Sequence, residues 1–321
     1  MAKQKETLWS MSTTIREAER IIGFLRTASL LDGQYWDKEC QCKFQILLIQ
    51  NHEYLKDVEN AQVRNKLTKE QVAALGAWDK EMSYEMADSI FKAKEYNDPA
   101  MRGRQSMSPL VKLGLVYYEN KIIRISDMGR KLLDGEISFE DMMLDALLKY
   151  QYPNPADSGF LSWNTKPFIN ALRLIKRVNE FCEERGEKAK GISSREFGIF
   201  VLSLKKYSDI DDVANRLLDF RRKRGELANE RAKELFTNKY IEDYLADFNN
   251  PIKNCKEYTD NMIRYFRLTR YIYIRGKYDH TYVDLEPRRM TEINAILDHD
   301  NGAARTFSLK EWNQYMGEYG T

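Results

Sequence analysis

Long apolar runs are missing from this chain. FQILLI and FGIFVLSL are its most hydrophobic stretches, far short of the roughly 18 residues a membrane span needs, so both read as core segments. The opening MAKQKETLWS lacks the apolar stretch of a secretory signal, and no Asn-X-Ser/Thr acceptor occurs; a cytoplasmic protein with no membrane contact is expected. Cysteine is scarce: Cys40, Cys42, Cys182 and Cys255 are too few and too scattered for a disulfide framework. Cys40-Gln-Cys42 would be half of a metal site, but the three histidines, His52, His280 and His299, are isolated. Reduced, inert thiols and no bound metal or cofactor are expected. A Gly-rich phosphate loop, a Gly-x-Ser-x-Gly elbow and a His-Glu-x-x-His pair are also absent, which excludes the enzymes built on them.

What remains is an ordinary globular composition, 43% hydrophobic and 31% charged, on a chain long enough for two domains or three small ones. The net charge of +2 argues neither for nor against a polyanionic partner, but its distribution does. Arg102 to Lys131 holds seven Lys/Arg against Glu119 and Asp127, and Lys253 to Arg289 holds nine against five acids. Local basic surfaces on a near-neutral protein suit a specific DNA binder.

The basic segments share a plan. Asp98-Pro99 reads as an N-cap followed by proline at the first helical position. Ser108-Pro109 repeats that signal, so the helix either kinks or restarts there. Gly114 ends it, Leu115–Tyr118 and Ile122–Ser126 form a hairpin turning through Glu119-Asn120-Lys121, and helix resumes after Gly129. Upstream, Thr14-Ile-Arg-Glu17 reads as a capping box for a helix with Ile15, Ala18, Ile22 and Leu25 on one stripe. Ser83 and Ser138 read as caps of two further helices. In the second half, Pro167–Phe181, Ser193–Leu204 and the run from Asp211 are helical. Tyr258–Arg267 is another helix, followed by a hairpin of Tyr271–Arg275 and Tyr282–Leu285 closed by Gly276-Lys277, and by a last helix over Arg288–Leu297. Helix, hairpin, helix thus occurs twice. The expected fold is mainly α with small β wings, a tandem of winged-helix (helix-turn-helix) domains over residues 1–152 and 153–321. The break Tyr152-Pro-Asn-Pro155 with Asp157-Ser-Gly159 divides them.

In the first motif Arg102, Arg104 and Gln105 precede an apolar back formed by Leu110 and Leu113. Arg can donate to both O6 and N7 of guanine, and Gln suits adenine. Lys112, Lys121 and Arg124 suit phosphates, which fix register without carrying sequence information. In the second motif Lys256, Asn261 and Arg264 lie on the helix, with Arg270, Arg275 and Lys277 on the wing. Asn261 and Arg264, three apart, are expected to share a face. The plain alternative for each residue is a solvated helix surface, but two wings in one chain favour double-stranded DNA as the partner. Arg221-Arg-Lys-Arg224 is better read as a structural salt-bridge helix, with Arg224 on its apolar stripe. Tyr35, Trp36, Tyr117, Tyr118, Tyr265 and Phe266 read as core rather than as base-stacking platforms.

Catalysis has little to stand on. A metal-dependent nuclease needs an Asp at a strand end and Glu-x-Lys on the next strand. Asp284-Leu-Glu286-Pro-Arg288 lacks the Lys, and Glu187-Lys-Ala-Lys190 has no strand around it.

An ordered series of motifs nevertheless resembles one family. It comprises Leu31-Asp-Gly-Gln-Tyr-Trp36, Arg102-Gly-Arg104, Pro109-Leu-Val-Lys-Leu-Gly-Leu115, Ile125-Ser-Asp-Met-Gly129, Leu148-Lys-Tyr-Gln-Tyr-Pro153, Phe200-Val-Leu-Ser-Leu-Lys-Lys206, Phe220-Arg-Arg-Lys-Arg224 and Arg264-Tyr-Phe-Arg-Leu-Thr269. Together they resemble the DNA-recognition half of the AlwI-like type IIS restriction endonucleases and their nicking relatives. The resemblance implies paired winged-helix domains reading a short asymmetric duplex sequence, with Arg102, Arg104 and Arg264 facing DNA. It also implies a separate C-terminal nuclease domain of the Asp…Glu-x-Lys type that needs Mg²⁺, and the sequence is expected to stop about where the linker to that domain begins. No catalytic residue is carried over, and cleavage is expected from that domain or from a separate catalytic subunit. Two other readings stay open: a self-sufficient Mg²⁺-dependent nuclease or nickase, and a winged-helix transcription regulator.

Overall fold

The computed structural model describes residues 5–12, 14–15, 17–276 and 281–320. It is mainly helical with small antiparallel sheets. Two compact units are each assembled from separate stretches: Thr14–Met142 with Met316–Thr321, and Met143–Tyr315 with Met1–Thr13. A single division after Tyr152 does not describe them. Tyr152 is fully buried, its ring packed on Phe160 (4.0 Å between centroids), Trp163 (5.8 Å) and Trp9 (6.5 Å). The Pro-rich break is therefore part of a core, where a linker would be solvated.

In the first unit, a 3-10 turn over Ala18–Arg20 leads into helix α1 (Ile21–Ser29). The helix does not begin at Thr14, because Glu17 still has an extended backbone. Helix α2 (Lys38–Gln50) is capped by Asp37, whose carboxylate accepts from the Cys40 amide at 2.9 Å. Three shorter helices follow, α3 (Ala61–Arg64), α4 (Lys69–Gly76) and α5 (Tyr84–Ala93). They share a small core in which Leu75, Ala87, Ile90 and Phe91 pack on Ile46 and Ile49 of α2. Helix α6 (Pro99–Lys112) starts as expected, with Asp98 accepting from the Met101 amide at 2.9 Å and Pro99 in the first turn. It neither stops nor restarts at Pro109, which is buried inside it.

Strands β1 (Val116–Glu119) and β2 (Ile122–Ile125) pair Glu119 with Ile122, leaving a two-residue turn. Asn120 and Lys121 both have positive φ, 49° and 63°, as the tightest hairpin turn requires. Tyr35 bridges antiparallel to Ile122. The Trp36 amide donates to the Lys121 carbonyl at 2.7 Å, and the Gly33 amide donates to the Ile123 carbonyl at 2.9 Å, so residues 33–36 form a rudimentary third strand on β2. Helix α7 (Asp127–Leu133) follows, capped by Ser126, and so begins before Gly129.

Helix α8 (Phe139–Lys149), which starts with Ser138 accepting from the Asp141 amide at 3.1 Å, carries the chain into the second unit. There α9 (Pro167–Glu184) is followed by strand β3 (Ile192–Ser193), the short α10 (Ser194–Glu196) and a π turn over Phe197–Val201. Then come α11 (Ile210–Gly225), α12 (Glu230–Tyr244) and α13 (Pro251–Arg267). Strands β4 (Ile272–Arg275) and β5 (Tyr282–Leu285) form the hairpin, and β3 adds to β5, giving the order β3-β5-β4. Arg275 pairs with Tyr282, so the connecting loop is longer than a Gly276-Lys277 turn. Helices α14 (Met290–His299) and α15 (Leu309–Gly317) end the chain.

Both units hold the helix before the hairpin against an earlier helix at a glycine. A Cβ on Gly103 of α6 would lie 2.0 Å from the Gln41 carbonyl oxygen of α2. A Cβ on Gly198, in the π turn, would lie 2.3 Å from Thr259 Oγ1 and 3.0 Å from the Cys255 carbonyl oxygen of α13. Replacing a helical Gly by Ala ordinarily stabilises by up to about 1 kcal/mol. Gly103→Ala is expected to do the reverse, lowering the unfolding free energy in urea by about 1–3 kcal/mol through overpacking. Gly225→Ala, where no atom lies within 4 Å, is expected to be neutral or stabilising in the same assay.

Candidate nucleic-acid interface

In the first unit the candidate surface is built on α6 and the hairpin. Because Gly103 faces α2, the residues around it are turned outward to different degrees. Arg102 and Gln105, one turn apart, touch: the Arg102 guanidinium donates to Gln105 Oε1 at 3.3 Å and lies over the Tyr96 ring at 4.8 Å. The ring meets the cation without neutralising it, and among the described residues no carboxylate pairs with Arg102, which leaves the guanidinium available for base-edge recognition. Arg104 is held differently. It donates to Gln41 Oε1 at 2.8 Å and to Asp98 Oδ2 at 2.7 Å. The Met101 amide and Arg104 together hold the Asp98 carboxyl below its usual range. Arg104 thus ties the start of α6 to α2 while remaining partly exposed.

Lys112 is half-buried near the end of α6, and Lys121 stands at the hairpin tip with its ammonium 5.9 Å from the Tyr35 ring centre. Arg124 Nε donates to Glu119 Oε2 across the hairpin at 3.3 Å. Tyr35 is 51% exposed, whereas its residue type suggested core. The signal was available in the Leu31–Trp36 segment: Asp32-Gly33 makes a turn, and a tyrosine just after it on an edge strand has one face in water. Trp36 and Tyr118, stacked at 5.7 Å, are the half-buried layer beneath.

In the second unit α13 exposes one stripe. Lys253, Lys256, Glu257, Asp260, Arg264 and Arg267 are exposed, while Asn254, Cys255, Thr259, Asn261, Met262 and Ile263 are buried. Asn261 therefore does not share a face with Arg264. It is 4% exposed and donates to the Ser12 carbonyl at 3.1 Å. The N-terminal segment packs along this side of α13: Trp9 lies 6.0 Å from the Phe266 ring, and the Met11 amide donates to Met262 Sδ at 3.1 Å. Asn261 is a structural anchor and is withdrawn from the candidate surface.

Arg264 pairs with Asp260 at 3.0 Å. Lys256 and Arg267 have no side-chain partner among the described residues, and Arg267, one turn beyond Arg264, was overlooked although its i+3 spacing marks it. Arg270 is exposed with φ of 61°. Arg275 is largely engaged. The Tyr273 hydroxyl accepts from its Nε at 2.8 Å and Asp284 lies 3.4 Å away, contacts that raise its pKa with the tyrosine the main cause. Lys277 lies outside the described residues.

The remaining polar motifs have structural duties. Arg221 places Nε and Nη2 each 2.9 Å from a different Glu196 oxygen and donates to the Gly191 carbonyl at 2.7 Å. Burial opposes its charge, but Glu196 outweighs it and raises the pKa. Arg222 and Lys223 pair with Asp219, and Arg224 with Glu230. The basic run is a salt-bridge helix as its spacing indicated, with Arg221 more deeply enclosed than Arg224. Asp284 accepts from Asn179 Nδ2 at 2.8 Å, and Glu286 caps a turn by accepting from the Arg288 amide. Burial pushes the Cys40 and Cys42 thiols up and that of Cys255 to about 12, against the thiolate that a soft metal needs. Among the described residues no three His, Cys, Asp or Glu side chains are grouped to hold a metal ion.

The family model for the AlwI restriction endonuclease matches residues 111–317. The chain belongs to the AlwI restriction endonuclease family. The match takes in both hairpins and all of α13, and leaves Arg102, Arg104 and Gln105 just outside its start. No curated protein matches the AlwI-family chain. Among solved structures, one described as "pyrene- and phenanthrene-modified DNA in complex with the BpuJ1 endonuclease binding domain" is similar at 14% identity and a TM-score of 0.47, over 72% of this chain and 86% of that one. No helix among the described residues is long and apolar enough to cross a membrane.

The reassignment of Asn261 is open to measurement. Asn261→Ala strands a buried carbonyl and is expected to lower the unfolding free energy by about 1–3 kcal/mol. Arg267→Ala, at an exposed unpaired site, is expected to leave the urea midpoint unchanged. Equal stability of the two variants would return Asn261 to the surface.

Proposed function

We propose that this AlwI-family chain is the sequence-specific DNA-recognition module of a type IIS restriction endonuclease, reading a short asymmetric duplex site with two winged-helix units. The observation that carries the reading is the repeated topology. In the first unit the order is α1, the strand-like residues 33–36, α2, an insertion of three helices, α6, then β1 and β2 with residues 33–36 added to β2. In the second it is α9, β3, α10 with its π turn, an insertion of two helices, α13, then β4 and β5 with β3 added to β5. A helix, a short strand, a helix pair and a hairpin whose second strand takes the early one is the order expected of a winged helix, in which the second helix of the pair enters the major groove, and this likeness supports the reading.

On this reading α6 and α13 are the groove helices. Arg102 and Gln105 are the base readers of the first unit. Lys112, Lys121 and Arg124 hold the backbone there, with Arg104 setting the helix start. Arg264, Lys256 and Arg267 serve the second unit, with Arg270 and Arg275 at its wing. Tyr35 and Lys121 form the outer surface of the first wing, where an aromatic face and an ammonium side by side suit a sugar-phosphate edge. Phosphodiester cleavage is assigned to a Mg²⁺-dependent nuclease domain or subunit outside these residues.

Selection of bound duplexes from a random pool is the direct test. One short asymmetric sequence is expected to be enriched, with affinity falling steeply as salt rises. Arg102→Ala is expected to weaken that duplex by roughly 1–3 kcal/mol and to relax preference at one position, whereas Arg267→Ala weakens all duplexes alike. A pool that emerges unenriched, or an enriched palindrome bound by a dimer, would sink the reading.

A further inference from the structure

One concave surface of the second unit is lined by none of the residues assigned to DNA above. It is a groove of about 480 Å³ walled by the start of α10, the end of α11, the start of α12 and the first residue of β5. Five cations line it, Lys190, Arg195, Arg221, Arg224 and Lys233, against two carboxylates, Glu196 and Glu230. Their pairing is uneven. Glu196 neutralises Arg221. Glu230 is shared, 3.2 Å from Arg224 and 2.8 Å from Lys233, so one of those charges is left over. Lys190 has only the Tyr282 ring, at 4.8 Å, and Arg195 has no side-chain partner among the described residues. Among the described residues three positive charges thus face one hollow uncompensated, beside the hydroxyl groups of Ser194 and Tyr282.

We propose that this groove takes the sugar-phosphate backbone of duplex DNA, as a sequence-independent clamp beside the reading helix of the same unit; the proposal rests on the DNA-recognition reading above. Phosphodiesters are recognised by convergent guanidinium, ammonium and hydroxyl donors, which is the donor set present. The place fits as well. In helix-turn-helix docking the helix before the reading helix meets the backbone, and Ser194 and Arg195 open that helix here. The opposite wall is the first residue of the wing strand β5, so a backbone running along the wing passes the mouth of the groove. Glu230, 73% exposed by its side chain, is the one acid that a phosphate would displace from Arg224 and Lys233. It weakens the groove for polyanions until one arrives.

The test uses the whole chain with two duplexes, one enriched from a random pool and one of mixed sequence, titrated across a range of salt. Replacing Lys190 and Arg195 together by Ala is expected to lower affinity for both duplexes by the same factor, on the order of ten-fold. The slope of log affinity against log salt should flatten by about one to two, as for the loss of one or two phosphate contacts. Glu230→Gln is expected to tighten both duplexes several-fold, a gain that damaged folding cannot produce. Unchanged affinity and slope in both variants would overturn the proposal, as would a loss confined to the enriched duplex. A groove that serves an acidic protein segment belongs to the first of these outcomes. Failure of the wild-type chain to enrich any sequence is a separate result and strikes the recognition reading.

Discussion

Everything that faces outward on the two hairpin-bearing units depends on how closely a pair of helices can approach. In the first unit the backbone of α2 presses on α6 at Gly103, and in the second the π turn presses on α13 at Gly198. Each crossing admits no Cβ, and the glycine sits on opposite members of the pair. The constraint fixes rotation about the helix axis as well as distance. With Gly103 turned inward, Ser106 follows it one turn later and donates to Gln45 Oε1 at 2.8 Å in full burial. Arg102 and Gln105 are then left on the outer side. In α13 the inward residues Cys255, Thr259 and Met262 leave Lys256, Arg264 and Arg267 to solvent. The chemistry available to a partner is a consequence of packing on the other side of the same helix.

Charge follows the same logic. The chain is nearly neutral overall, and many of its cations are spent within the protein, in exposed pairs that contribute little to stability or in enclosed bridges such as Arg221–Glu196, Lys149–Asp145 and Lys166–Asp300. A cation already matched by a carboxylate adds little attraction for a phosphate, because bringing the phosphate in means displacing the acid. Lys190, Lys256, Arg195 and Arg267 are therefore more informative than the dense run at Arg221 to Arg224, although the run is what the eye finds first. Arg102 over the Tyr96 ring is a third kind of case: a ring holds the guanidinium without neutralising its charge.

Local signals in the sequence were sufficient for most elements. Asp98-Pro99, Ser83 and Ser138 cap helices where side-chain oxygen and missing proline N–H say they should. Asn120 marks the hairpin turn because it tolerates positive φ. Long-range facts were not legible. Asn261 sits at the same spacing from Arg264 as a surface neighbour would, and only the arrival of Ser12, some 249 positions away in sequence, buries it. Strand β3 is two residues long and exists because β5 offers it an edge, so no periodicity could announce it. Pro109 pointed to a kink or a restart, and the helix does not restart: Pro109 is buried within a continuous α6, where burial outweighs the one hydrogen bond it removes.

The same distinction bears on the two acids that came nearest to a nuclease motif. Asp284 and Glu286 are close in sequence and adjoin a strand, as metal-gathering acids do. Asp284 points at Asn179 and Arg275, and the Asn179 side chain accepts in turn from the Gly191 amide at 2.8 Å. That chain of contacts staples β5 to α9 and to the residue preceding β3. Glu286 turns the other way and caps the turn at Arg288. The Asp284 carboxylate is already engaged by the Asn179 amide and has Arg275 3.4 Å away to match its charge, so a further cation gains less by approaching it. The two acids are spaced like a catalytic motif but bonded apart, Asp284 as a joint between β5, α9 and the start of β3 and Glu286 as the cap of the following turn.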